Sequence, residues 1–160
     1  MGDNRDGRKF KPSEAADVGG GVTVVADNYP EAARKHVHDS EALLNVKRYD
    51  GAGYLAGYAV ECTLKTLIFV ETRGGGGGHD LSRLSARALQ LLILSSKNTA
   101  SYVKLPGITS LSYGPAGWRE TLRYEPEGTV SQTDSESWVS EARRLHDEVI
   151  IPMKKDGVIP

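Results

Sequence analysis

The sequence predicts an all-α protein, an up-and-down four-helix bundle with a short extra helical turn in the loop before the last helix. Four segments carry apolar residues at alternating three- and four-residue intervals, which is the spacing of one face of an α-helix. No segment shows the alternation of a convincing strand. The first two helical segments are joined by a short turn, which favours antiparallel neighbours. At 160 residues the chain is long enough for one domain with a sizeable core.

The first predicted helix begins where a capping residue precedes a proline. Asp27 and Asn28 are both good N-caps, and Pro30 then stands in the first turn, where its missing N–H costs nothing. The helix should end between residues 46 and 48, just before the turn into the next segment.

The second predicted helix is rich in small residues. Asp50 should cap it, and it should run to about residue 71 or 72. Glycine inside a helix costs roughly 1 kcal/mol relative to alanine, so the glycines here need a structural reason. We expect another helix backbone to approach closely at these positions. The small residues are Gly51, Ala52, Gly53, Ala56, Gly57 and Ala59.

The third and fourth helices are also predicted to start at capping residues. His79 or Asp80 should begin the third helix, directly after a run of five glycines. Asp134 or Ser135 should cap the last helix, and Pro152 should end it, because proline cannot donate the hydrogen bond that continues a helix.

The folded domain is expected to occupy residues 28–152. Residues 1–27 carry too little apolar surface to offset the entropy lost on ordering, and we interpret them as a disordered tail. Residues 153–160 are interpreted as a short C-terminal tail. The extra helical turn is predicted at 118–124, after a loop that contains several prolines and glycines.

Composition restricts the kinds of partner. The chain has 20 basic and 21 acidic residues, so any nucleic-acid binding would need a local basic patch. Cys62 is the single cysteine, which excludes an intrachain disulfide and a cysteine-based zinc cluster. His36 and His38 do not share a helix face, and we expect them at the helix surface with no metal and no cofactor. No signal peptide and no bilayer-length apolar segment are visible, so a cytoplasmic protein is expected.

Four groups of residues match, in order, the pattern of a known family. They are His38-Asp39 with Leu43-Leu44, the segment RYDGAGYLAGYAVECTLK from Arg48 to Lys65, His79-Asp80-Leu81, and Leu122-Arg123-Tyr124. On these residues the chain resembles the HEPN domain (higher eukaryotes and prokaryotes nucleotide-binding domain) over about residues 29–151. The resemblance implies a HEPN-like four-helix bundle that forms a homodimer and binds nucleotide or RNA. It also implies a nucleotidyltransferase partner, within a toxin–antitoxin or defence system.

By this resemblance, five polar residues should meet where the helices pack: Asp39, Glu61, Lys65, Arg123 and Tyr124. One interpretation is a ligand-binding cluster. The other is a structural network of buried or half-buried salt bridges that fixes the register of the helices. Glu61 and Lys65 are four residues apart in the favourable order, so this pair is expected under either interpretation.

Many members of the resembled family are metal-independent ribonucleases, with a signature of an arginine followed closely by a histidine. The histidine can transfer the proton and the arginine can stabilise the phosphorane charge. Arg73 and His79 have a suitable spacing here, with five glycines between them. A glycine run preorganises a site poorly, so we expect a binding or interaction module. A metal-independent ribonuclease is the alternative, and a purely structural adaptor is a further one.

Overall fold

A computed structural model describes residues 28–74, 76–95, 99–103, 109, 111 and 117–160, and the predicted tail at 1–27 lies outside them. Within these residues the chain is all-helical without strands, which confirms the predicted fold class. The main helices are α1 (Tyr29–Asn45), α2 (Tyr49–Thr72), α3 (Leu81–Ser95) and α4 (Gln132–Leu145), and a π-helical turn (His146–Ile150) and short α5 (Ile151–Lys155) follow. Short 3₁₀ helices lie at Ala100–Tyr102 and Glu120–Tyr124, and the second is the predicted extra turn.

Helix α2 is the centre of the bundle, because α1, α3 and α4 all pack against it. Its residues 56–68 are buried all around the helix, apart from the half-buried Tyr58. Only residues 46–48 separate α1 from α2, and the two helices pack against each other as predicted. Because α2 is enclosed, its polar side chains must find their partners inside the bundle.

The small residues of α2 accommodate tryptophan side chains. A Cβ atom at Gly57 would lie 2.0 Å from Cε2 and Nε1 of Trp118, and one at Gly53 would lie 3.0 Å from the ring of Trp138. The prediction that these glycines admit a second helix backbone is therefore wrong at both positions. The reason is that an indole ring occupies the space that a Cβ atom would need at each of these glycines.

Two predicted caps are confirmed. The side chain of Asn28 accepts a hydrogen bond from the backbone N–H of Glu31 at 3.3 Å, at the start of α1. At the start of α3, Oδ1 of Asp80 accepts from the backbone N–H groups of Ser82 and Arg83, at 2.9 and 3.1 Å. Each cap satisfies donors that the first helical turn leaves without a partner.

The predicted cap of α2 is wrong. The N-cap of α2 is Arg48, which makes no side-chain capping bond. Asp50 instead accepts from the backbone N–H groups of Gly128 and Val130, at 2.7 and 2.8 Å. The Asp50 carboxylate thus satisfies two amides of a distant loop, and it fixes that loop before α4.

Helix α4 begins earlier than predicted. Its N-cap is Ser131, whose Oγ accepts from the backbone N–H of Asp134 at 3.0 Å and donates to the Asp134 carboxylate at 2.7 Å. Asp134 therefore lies in the first turn of α4, where its charge favours the positive end of the helix dipole.

The prediction that Pro152 ends the last helix is also wrong. In the π-helical turn before it, the backbone N–H of Ile151 donates to the carbonyl oxygen of His146. This wider turn accommodates a residue without an N–H donor, so the helix continues through Pro152. Met153, in the segment predicted as a tail, is fully buried in the core.

Candidate functional site

A buried ion pair lies in the middle of α2. Glu61 and Lys65 are only 3% and 8% exposed, and Nζ of Lys65 lies 2.8 Å from Oε1 of Glu61. The same ammonium group lies 5.7 Å from the centre of the Tyr29 ring. Removing two charges from water is costly, and mutual pairing offsets that cost only when the geometry is good. The predicted Glu61–Lys65 pair is present, and it is buried.

His79 is held by the same carboxylate. Its Nδ1 atom lies 3.0 Å from Oε1 and 3.1 Å from Oε2 of Glu61, while 49% of its side chain remains exposed. The preceding Gly78 has a positive φ of 82°, a conformation that glycine adopts without strain. The loop thus turns His79 back onto α2, so that a buried carboxylate contacts an exposed imidazole.

Arg73, the other residue of the predicted ribonuclease signature, lies at the C-terminal end of α2. It ends α2 as a C-cap residue with a φ of 56°, and its side chain is exposed. The structure pairs His79 with Glu61, and Gly75, within the intervening loop, lies outside the described residues. The structure thus places His79 against Glu61 and leaves the side chain of Arg73 exposed at the end of α2.

Three aromatic residues pack together next to the Glu61–His79 contact, and one of them, Tyr58, contacts His79. Tyr54 donates from its hydroxyl to the hydroxyl of Tyr58 at 3.2 Å, and Nε1 of Trp118 donates to the carbonyl oxygen of Tyr54 at 3.0 Å. The Tyr58 ring meets Trp118 edge-on at 5.4 Å and His79 at 6.2 Å between centroids. Burial raises the pKa of Tyr58, so its hydroxyl stays neutral.

Sequence reasoning did not include these aromatic residues in the site. Tyr54 and Tyr58 are four residues apart on α2, which places them on one side of the helix. This spacing is the sequence signal that indicates a shared position for the two tyrosines. Trp118 carried no comparable signal, because it reaches α2 from a segment far along the chain.

Arg123 and Tyr124 form an exposed pair at the end of the 3₁₀ helix. The guanidinium carbon of Arg123 lies 5.0 Å from the centre of the Tyr124 ring, and Tyr124 is 78% exposed. Arg123 also interacts with the hydroxyl of Tyr54 and, electrostatically, with Tyr58. Neither Arg123 nor Tyr124 joins the buried pair of Glu61 and Lys65.

Asp39 lies at the edge of this group. It is exposed on α1, and its charge acts on His36, whose ring is 5.9 Å from that of Tyr58. Burial lowers the pKa of His36 and Lys35 lowers it further, while Asp39 and Glu61 oppose the shift. His38 is exposed, as expected of a helix-surface residue, whereas His36 is half-buried and its Nδ1 atom has no hydrogen-bond partner in the described part of the chain.

His79 also lines a cleft of about 240 Å³, together with Trp118, Arg119 and other residues between α3 and the 3₁₀ helix. Arg119 is itself paired with Glu125 at 3.3 Å. A larger cavity of about 480 Å³ lies beside the turn between α1 and α2, and its lining includes none of the five predicted cluster residues. The lining of the cleft beside His79 likewise includes none of those five residues. We assign the candidate site to the region around His79, because Glu61 and the Tyr58 ring contact His79 there and Trp118 lines the adjoining cleft.

Two further properties of the described residues bear on function. They contain no group of three or more histidine, cysteine, aspartate or glutamate side chains that could hold a metal ion. Among the helices that the structure describes, none combines the length and the apolar character needed to cross a membrane.

The fold and the site together define a helical-bundle domain whose central helix carries a polar site. The chain belongs to the HEPN domain family: the model of that family, described as "HEPN domain", matches residues 27–151, which is most of the chain. The family consists of nucleotide- and RNA-related modules. No curated protein and no solved structure matches the chain.

Proposed function

We propose that the protein is a nucleotide- or RNA-binding module. The ligand lies across a surface formed by His79, Arg123 and Tyr124, which we name the binding surface. The observation that carries the proposal is the exposed stack of Arg123 on Tyr124, with 5.0 Å between the guanidinium carbon and the ring centre. An exposed aromatic ring is a platform for a base, and an adjacent guanidinium pairs with phosphate.

The exposure of Tyr124 supports a role at the surface. A tyrosine that is 78% exposed contributes little to the core, so burial does not account for its position. The chain has a net charge of −1, so attraction to RNA would come from this local group and not from the whole molecule. The binding surface therefore supports a ligand of a few nucleotides, recognised by stacking and by one or two phosphate contacts.

Tyr124→Ala and Arg123→Ala should each weaken the binding of a fluorescently labelled single-stranded RNA oligonucleotide. Loss of one base stack typically costs about 1 to 3 kcal/mol, which is roughly a 5- to 150-fold rise in Kd. Fluorescence anisotropy at one fixed salt concentration measures the change. Arg144→Gln is the control, because this exposed arginine of α4 is held by Glu141 and Glu148. Unchanged affinity in both test variants would contradict the proposal.

A metal-independent endoribonuclease is the second candidate, with Arg73 and His79 as its catalytic residues. It is supported by the contact between Glu61 and Nδ1 of His79, since acid–base histidines are often oriented by a carboxylate. The run of five glycines between Arg73 and His79 preorganises a catalytic pair poorly, which favours the binding module instead.

We expect no cleavage of RNA by the purified protein, with or without EDTA. If cleavage occurs, it should persist in EDTA, and His79→Ala should reduce it by roughly a hundred- to ten-thousand-fold, which is the usual contribution of a general acid–base group. Gel analysis of a labelled RNA incubated with wild type, His79→Ala or Arg73→Ala measures the cleavage. Cleavage that survives His79→Ala would refute the assignment of His79 as a catalytic residue. Cleavage by the wild type that is lost in both variants would refute a function limited to binding.

We also propose that the chain forms a homodimer, with a nucleotidyltransferase as a further partner in a toxin–antitoxin or defence system. The family supports this assembly, and the exposed apolar side chains of Ile93 and Leu94 on α3, at 66% and 73%, support a protein interface. Light scattering at micromolar concentration should give twice the mass of one chain. A monomer under these conditions, with no partner present, would contradict the homodimer.

A further inference from the structure

The contact between Glu61 and His79 defines which edge of the imidazole ring is free. Both carboxylate oxygens lie within 3.1 Å of Nδ1, and a carboxylate only accepts hydrogen bonds. Nδ1 must therefore carry a proton. In the neutral ring this leaves the lone pair on Nε2, and in the charged ring it leaves an N–H donor there. In both states Nε2 is the atom available to a ligand.

From this geometry we infer that Glu61 is a positioning residue, which fixes His79 as the Nδ1–H tautomer and presents Nε2 to a phosphate or base of the ligand. The inference rests on the proposed nucleotide- or RNA-binding function and assigns a role to a residue that does not itself touch the ligand. The cleft of about 240 Å³ that His79 lines offers space for one phosphate or base next to the ring.

Glu61 is well suited to this role because its own carboxylate cannot reorient. It lies on the enclosed central helix, it is buried, and Lys65 holds Oε1 at 2.8 Å. A rigid supporting group fixes the orientation of an exposed side chain better than a group on a mobile loop does. Tyr58 restricts the orientation of the His79 ring from another side, since the centroids of the two rings are 6.2 Å apart.

A purely structural role explains the contact less well. Lys65 already supplies a counter-charge to Glu61, so the carboxylate does not need His79 as its charge partner. The His79 side chain is half exposed, so its burial contributes little to the core. What the contact adds is a defined ring orientation and a defined tautomer.

The test begins with the tautomer itself, observed in the ¹⁵N spectrum of the histidine side chains of the full chain. Wild type should show His79 as the Nδ1–H form, with the signal assigned by its loss in His79→Ala. In the double variant Glu61→Met/Lys65→Met, His79 should lose this fixed form. The double substitution leaves no buried charge without a partner, so the fold should persist, and thermal unfolding checks this. Glu71→Gln is the matched control: this carboxylate, also on α2, accepts from Thr99 at 2.5 Å, and its loss should leave the tautomer unchanged.

The second arm measures the affinity for the labelled single-stranded RNA by fluorescence anisotropy. Glu61→Met/Lys65→Met should raise Kd roughly tenfold, as loss of an orienting partner does at other sites. The same change in a His79→Ala background should have no further effect, because Glu61 acts through His79. The positioning role would be overturned if the double substitution weakened RNA binding further in the His79→Ala background. It would also be overturned if His79 kept its wild-type tautomer in the double variant. Wild type that binds no RNA would refute the proposed function and with it the ligand role of Nε2, whatever the tautomer.

Discussion

Glu61→Ala and Lys65→Ala should each lower the free energy of unfolding by several kcal/mol, on the order of 3 to 5 kcal/mol. Each substitution removes the 2.8 Å ion pair and leaves the other charge buried in the middle of α2, although Glu61 keeps its contact with His79 in Lys65→Ala. Glu61→Ala additionally removes the acceptor of His79. Urea denaturation followed by circular dichroism measures the change in the free energy of unfolding.

The control for this prediction is an exposed pair of similar spacing. Arg34 pairs with Glu31 at 3.0 Å on the surface of α1, so Arg34→Ala should cost less than about 1 kcal/mol. Glu61→Met/Lys65→Met should recover most of the loss of the single variants, because two apolar side chains of similar size replace two charges. If both single variants unfold at the wild-type urea concentration, the pair is solvated in the protein and the burial described above is incorrect.

Local sequence signals were sufficient for the helices and several of their ends. Asn28 and Asp80 cap helices through donors two or three residues away, which is a relation that the sequence contains directly. Asp50 had the same local signal, but its partners Gly128 and Val130 are 78 and 80 residues away. A competition between a local and a distant partner is decided only when the chain is folded, so the cap of α2 could not be predicted.

The same distinction applies to the candidate site. The pair of Glu61 with Lys65 followed from the four-residue spacing on a helix, whereas the contact of Glu61 with His79 spans a loop of glycines. The ribonuclease signature selects Arg73 because the signature is defined by the number of residues between an arginine and a histidine. Arg73 instead ends α2 in a left-handed conformation, where its side chain is exposed.

Stability and function are linked through α2. The helix that forms the centre of the core also supplies Glu61, Tyr54 and Tyr58 to the site. A substitution on its buried side can therefore change ligand affinity without touching the ligand. For this reason, every variant used to test binding needs an unfolding measurement beside it.

Gly57→Ala should destabilise the protein by about 3 to 5 kcal/mol, which is the usual cost of losing a buried tryptophan from a core. The added Cβ atom would lie 2.0 Å from two atoms of the Trp118 ring, so the ring must leave its position. Trp118 would lose its packing on Tyr58 and the hydrogen bond to the carbonyl oxygen of Tyr54. Alanine gains about 1 kcal/mol in helix propensity over glycine, which is too little to offset this loss.

Gly51→Ala is the matched control, on the same helix and with the same gain in propensity. Its Cβ atom would meet the end of the flexible Leu43 side chain at 3.1 Å, which can shift, so we expect a change of less than about 1 kcal/mol in either direction. Urea denaturation gives the free energies, and tryptophan fluorescence reports exposure of Trp118 in folded Gly57→Ala. In a Trp118→Ala background, Gly57→Ala should become neutral or stabilising, because the clash is absent and only the propensity gain remains. A Gly57→Ala variant as stable as Gly51→Ala would mean that Trp118 does not pack against α2 at this glycine.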